Sequence, residues 1–94
     1  MPDFRTTLPG VRAFSRLEKR FAARLPRVRD ARGMSQREVA AAAGMHRTAL
    51  GSVEHGRRGI QLGEAALLCE ALGVPLADML SPDPLVLRVD VAIE

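Results

Sequence analysis

Residues 35–56 read SQREVAAAAGMHRTALGSVEHG, and the fold of the chain follows from them. Ser35 and Glu38 stand three apart, the spacing at which a serine hydroxyl and a glutamate carboxylate cap a helix start reciprocally. Every residue from Gln36 to Ala43 favours or tolerates helix, and the alanines allow close packing. Gly44 stops the run, because glycine enters the left-handed conformation cheaply. A second helix is predicted from Arg47 to Glu54, with Leu50 and Val53 facing inward and Gly56 ending it.

Two short helices joined by a glycine-containing turn predict a helix-turn-helix unit. Upstream, Ser15-x-x-Glu18 reads as another capping box opening a helix. Leu17, Phe21, Leu25 and Val28 recur at helical spacing and define its apolar face. Arg16, Lys19, Arg20, Arg24, Arg27, Arg29 and Arg32 occupy the other faces. Pro26 either kinks this helix or starts a shorter one, since proline lacks a donor and clashes one turn back. Before it, residues 1–14 read as a loose arm in which Phe4, Thr6 and Leu8 alternate weakly.

Downstream, Gly56-Arg57-Arg58-Gly59 is a loop with two adjacent cations. A fourth helix follows from Leu62 to Leu72, with Leu62, Ala65, Leu68, Cys69 and Leu72 as its buried stripe. Gly73 caps it, Pro75 suits the first position of a short fifth helix ending at Leu80, and Ser81-Pro82-Asp83-Pro84 breaks the chain. The tail then changes period. Leu85, Leu87, Val89, Val91 and Ile93 share one side of a predicted β-strand. A lone strand leaves its backbone unpaired, so it requires a partner. A two-fold related tail is the simplest supplier; Phe4 to Leu8, a different protein, or a tail left disordered are the alternatives. The expectation is an all-α domain of five helices over residues 15–80, with an N-terminal helical extension and a dimerising strand within residues 81–94.

Ninety-four residues, 47% apolar and 27% charged, suit one globular domain with a modest core. No apolar run approaches the roughly 20 residues of a membrane span. The first residues lack the apolar core of a secretion signal, and a single Cys69 fits a reducing cytoplasm. Charge is divided: residues 1–60 carry 13 Lys/Arg against five Asp/Glu, whereas residues 61–94 carry one against six. The basic part suits a polyanionic partner. No nucleophile beside a base, no paired carboxylates and no phosphate-loop pattern indicate an enzyme. His46 and His55 lack ligand-spaced companions, so neither a metal nor any other cofactor is expected.

The stretch Ser35-Gln36, Ala40-x-x-x-Gly44, Leu50 and Glu54-x-Gly56, with Leu62 to Leu80 behind it, resembles the DNA-binding domain of the lambda-repressor and Cro type, the XRE family. The likeness covers roughly residues 25 to 80, with Leu25 to Arg32 as the family's first helix. The resemblance implies a second helix of the pair lying in the major groove of double-stranded DNA, with Arg47, Thr48 and Ser52 facing the bases. Arg47 would meet a guanine through its two acceptors; Thr48 and Ser52 would bond either partner or touch a thymine methyl. Gln36 falls on the family's backbone-anchoring position, while Arg57, Arg58 and, more weakly, Arg37 suit phosphates. Gly51 and Ala49 depart from the pattern, Gly51 because it weakens a helix and Ala49 because that position is commonly polar.

The expected role is therefore a homodimeric transcriptional repressor reading an inverted repeat. Two other readings use the same architecture: the antitoxin of a toxin–antitoxin module, and an antiactivator that sequesters a transcription factor. The segment Val11–Arg24, which the resemblance does not explain, keeps the latter open.

Overall fold

The computed structural model describes the backbone of residues 9–87 and the side chains of residues 16–87. Five helices lie within these bounds: α1 (Pro9–Ala31), α2 (Gln36–Ala42), α3 (Arg47–Glu54), α4 (Leu62–Leu72) and α5 (Leu76–Leu80). Helix α1 packs against α3 and α5, α2 against α3 and α4, and α4 against α5. The core is one cluster to which every helix contributes, with Phe21, Leu25, Val39, Leu50, Val53, Leu68 and Met79 at its centre.

The helix-turn-helix forms for the reasons its residues suggest. The Glu38 amide donates to Ser35 Oγ at 3.1 Å and the Ser35 amide to Glu38 Oε1 at 3.1 Å, closing the capping box. At the other end Gly44 adopts φ +69°. Its amide donates to Ala41 O and that of Met45 to Ala40 O, satisfying carbonyls the helix leaves open. Helix α3 occupies the expected residues, with Leu50 and Val53 at most 1% exposed.

Two expectations are corrected, and one of the two readings of Pro26, a helix starting there, is excluded. Helix α1 begins at Pro9 and runs unbroken through Ser15, so the Ser15-x-x-Glu18 box lies inside a helix and opens none. Proline suits the first helical position, where its missing donor costs nothing. The same helix continues through Pro26. There the lost bond to the Ala22 carbonyl and the ring clash cost ~3 kcal/mol. Burial of Phe21, Leu25 and Val28, each at most 1% exposed, outweighs that loss at ~1.5–3 kcal/mol per side chain. Leu17 and Leu62, expected inside, are 36% and 76% exposed. Each is the first residue of its stripe, and both line one open apolar pocket with Phe21, Ile60, Leu76 and Leu80.

The tail differs most. Among the described residues there is no strand. Leu85 and Leu87 instead pack on the helical core while Val86 is 74% exposed. The alternation is real, but its apolar side finds the chain's own helices. The backbone is laid there by Arg24, whose guanidinium donates to Asp78 O at 2.5 Å and Asp83 O at 2.6 Å. Val89, Val91 and Ile93 lie outside the described residues, as does the pairing segment Phe4 to Leu8.

Candidate nucleic-acid interface

On α3 the apolar residues point into the core, which turns Arg47 and Thr48 outward and leaves Ala49, Gly51 and Ser52 half-buried. Arg47 and Thr48 are thus open to solvent, and Ser52, one turn on from Thr48, is partly covered. Gln36, in the first turn of α2, lies alongside. A Cβ built on Gly51 would stand 4.0 Å from the Gln36 amide, so Gly51 borders α2.

The pose of α3 is set by a chain of polar contacts. Arg29 of α1 donates through Nε to Glu54 Oε2 at 3.0 Å and through Nη2 to Glu54 Oε1 at 3.3 Å. Gln36 Nε2 donates to the same Glu54 Oε1 at 2.9 Å. Arg47 Nη1 in turn reaches Gln36 Oε1 at 3.5 Å, the outer limit for such a bond. The Glu54 and Arg29 side chains are only 5% and 16% exposed. Bidentate geometry in a shielded setting makes this a strong pair. The hydrogen bond to Glu54 raises the Arg29 pKa, against a smaller opposing effect of burial. Arg29 also donates to Met34 O at 3.2 Å, fixing the loop before α2.

The remaining cations divide into two groups. Arg20 donates to Leu80 O at 2.7 Å, while Arg32 donates to Leu72 O at 3.0 Å and Gly73 O at 3.2 Å. With Arg24 they satisfy the carbonyl ends of α4 and α5, where a positive charge also suits the helix dipole. These arginines are structural. Their role is not legible from a helix face, because the acceptors are backbone atoms that any sequence would supply. Arg37 and Arg57 are exposed and carry no side-chain partner among the described residues. Arg58 is held: Nη2 lies 2.7 Å from Glu64 Oε2 and Nη1 3.1 Å from Glu64 Oε1. Glu64 also accepts the Gln61 amide at 3.1 Å, capping α4. The Arg58 bond first, and the Gln61 amide second, hold the Glu64 carboxyl below its usual pKa.

His46 is the N-cap of α3 without a side-chain capping bond. His55 closes the same helix, and its Nδ1 donates to Gly51 O at 2.7 Å. Among the described residues no group of three His, Cys, Asp or Glu could hold a metal ion. Cys69 is buried in the core, and burial pushes its thiol pKa up to about 11, away from nucleophile chemistry. None of the described helices is long and apolar enough to cross a membrane.

A helix-turn-helix family model matches residues 27–79, more than half the chain, and spans α2, the turn and α3 whole. This chain belongs to the XRE-type helix-turn-helix family. Two solved structures share the fold of this family member at 32% identity. One is the restriction-modification controller protein C.AhdI from Aeromonas hydrophila, matched with a TM-score of 0.63 over 66% of this chain and 94% of that one. The other is a hypothetical transcription factor, NHTF, from Neisseria, with a TM-score of 0.67 over 73% of this chain and 78% of that one. No curated protein matches. The family match begins at residue 27, so most of α1 lies ahead of the matched segment.

Proposed function

We propose that the protein is a sequence-specific DNA-binding transcriptional regulator that lays α3 in the major groove of double-stranded DNA. Family membership supports the DNA partner, and the two solved neighbours are described as a restriction-modification controller protein and a hypothetical transcription factor. The observation that carries the reading is the division of α3. Leu50 and Val53 are buried while Arg47 and Thr48 are exposed, and the Arg29–Glu54–Gln36 contacts fix the helix in that pose. Arg47, Thr48 and Ser52 read base edges; Gln36, Arg37 and Arg57 hold phosphates. Arg58 contributes less, because a phosphate must compete with Glu64 for it.

One α3 of eight residues spans about 12 Å and reads a single half-site. We infer a homodimer reading an inverted repeat, with half-sites roughly 34 Å apart, and repression by covering a promoter. Selection of duplexes by the intact protein, followed by mobility-shift titration, tests this. Arg47→Ala should cost about 1–3 kcal/mol on the selected site and relax preference at one base pair. Unchanged preference with the fold intact would defeat the assignment.

A further inference from the structure

The first half of α1 lies outside the family match, yet it is built against the loop that follows α3. Glu18, Lys19 and Ala22 of α1 face Arg57, Arg58 and Gly59 across an open cleft of about 190 Å³. Lys19 and Arg57 are both exposed and have no side-chain partner among the described residues. Arg58 is neutralised by Glu64. Glu18 packs on the far wall, where a Cβ on Gly59 would meet its Oε2 at 3.2 Å. The cleft thus offers two cations, unpaired among the described residues and drawn from elements remote in sequence, beside the loop that follows α3.

We propose that this cleft receives a phosphodiester of the DNA backbone, with Lys19 and Arg57 as its two cationic walls, so that the duplex contact extends onto α1 beyond the helix-turn-helix. The inference rests on the DNA-binding reading above. An ammonium on a flexible stem and a guanidinium approach one phosphate from opposite sides, which gives affinity and register but no base information. Glu18 opposes the phosphate and lowers the affinity the site would otherwise reach.

Salt dependence reads such a contact directly. Each phosphate neutralised on duplex DNA contributes a slope of about 0.9 in log K against log salt, or roughly a 3.5-fold loss of affinity for a fourfold rise in salt. The full chain, Lys19→Gln, Lys19→Arg and Glu18→Gln are titrated from 50 to 200 mM salt on the selected duplex and on a scrambled one, with thermal melts to verify folding. Lys19→Gln should flatten the slope by about one on both duplexes, since phosphate contacts ignore sequence. Lys19→Arg should restore the slope, and Glu18→Gln should tighten binding two- to fivefold.

A folded Lys19→Gln variant with the parent slope overturns the cleft while leaving the base-reading face of α3 standing. A parent chain that binds both duplexes equally, but loses slope with Lys19→Gln, overturns sequence reading and supports the cleft. A parent chain with no affinity for DNA overturns both.

Discussion

Gln36 Nε2 donates to Glu54 Oε1 over 2.9 Å, joining the first residue of α2 to the last residue of α3. The carboxylate that accepts this bond is also the one Arg29 grips with two nitrogens. One buried acid thus sets the angle between the two helices of the motif and their seat on α1.

Glu54→Ala takes the bidentate partner from a shielded Arg29 and leaves it only Met34 O and Asp30, so denaturant unfolding should show a loss of about 1–3 kcal/mol. Replacing both partners, as Arg29→Met with Glu54→Leu, should recover much of it, since two apolar groups of similar size leave no stranded charge. If the double variant stays as unstable as the single one, the pair is not what orients α3. Selective DNA binding should remain weak in the double variant, because Gln36 still lacks its acceptor.

Gly51→Ala should raise stability by up to about 1 kcal/mol, the helix-propensity difference between these residues. The backbone there has no positive φ, and the added methyl would make ordinary contact with the Gln36 amide at 4.0 Å. Thermal unfolding reads the gain; a lower melting temperature would mean that α2 and α3 lie too close for a methyl. Gly56→Ala should do the reverse, because its φ is +69°.

Arg24 is 8% exposed and its guanidinium holds Asp78 O and Asp83 O. Arg24→Met keeps much of the stem but strands both carbonyls, which should cost roughly 2–3 kcal/mol in urea. The segment after Ser81 should then be cut by proteases far faster than in the parent chain. Equal cleavage rates would show that Leu85 and Leu87 hold the tail unaided.

Acid stability has a defined direction. The Glu64 carboxyl sits below its usual value of 4.5 through Arg58 and the Gln61 amide, and Glu38 is lowered by the backbone and hydroxyl of Ser35. Both are depressed in the folded chain, so their contribution is fully present above the unfolded value and is lost as pH falls through the folded one. Melting temperature should decline below about pH 4.5, and Glu64→Gln should shallow that decline. A pH profile indifferent to Glu64→Gln would remove this residue as a contributor.

What the sequence determined by itself is local. The Ser35 box, the glycine that ends α2, the limits of α3 and the apolar spacing of Phe21, Leu25 and Val28 all depend on atoms within about a turn of each other. The same short range explains the misreading at Ser15, where a capping pattern sits within a helix whose start at Pro9 leaves those amides already bonded. Leu50 and Val53 likewise mark the inner side of α3 from their spacing alone, whereas Arg47, Thr48 and Ser52 were singled out only through the family resemblance.

Only the tertiary structure decided which arginines are structural and which are available. Arg29 finds Glu54 25 residues away, Arg32 finds Leu72 40 away, and Arg24 finds Asp78 and Asp83 at separations of 54 and 59. A guanidinium has the same charge and five donors whether it faces water, a phosphate or a helix end. Its partner is selected by how the chain closes on itself. The tail obeyed the same logic: its alternating pattern specified an apolar side at Leu85 and Leu87, and the chain's own helical core is what lies against it.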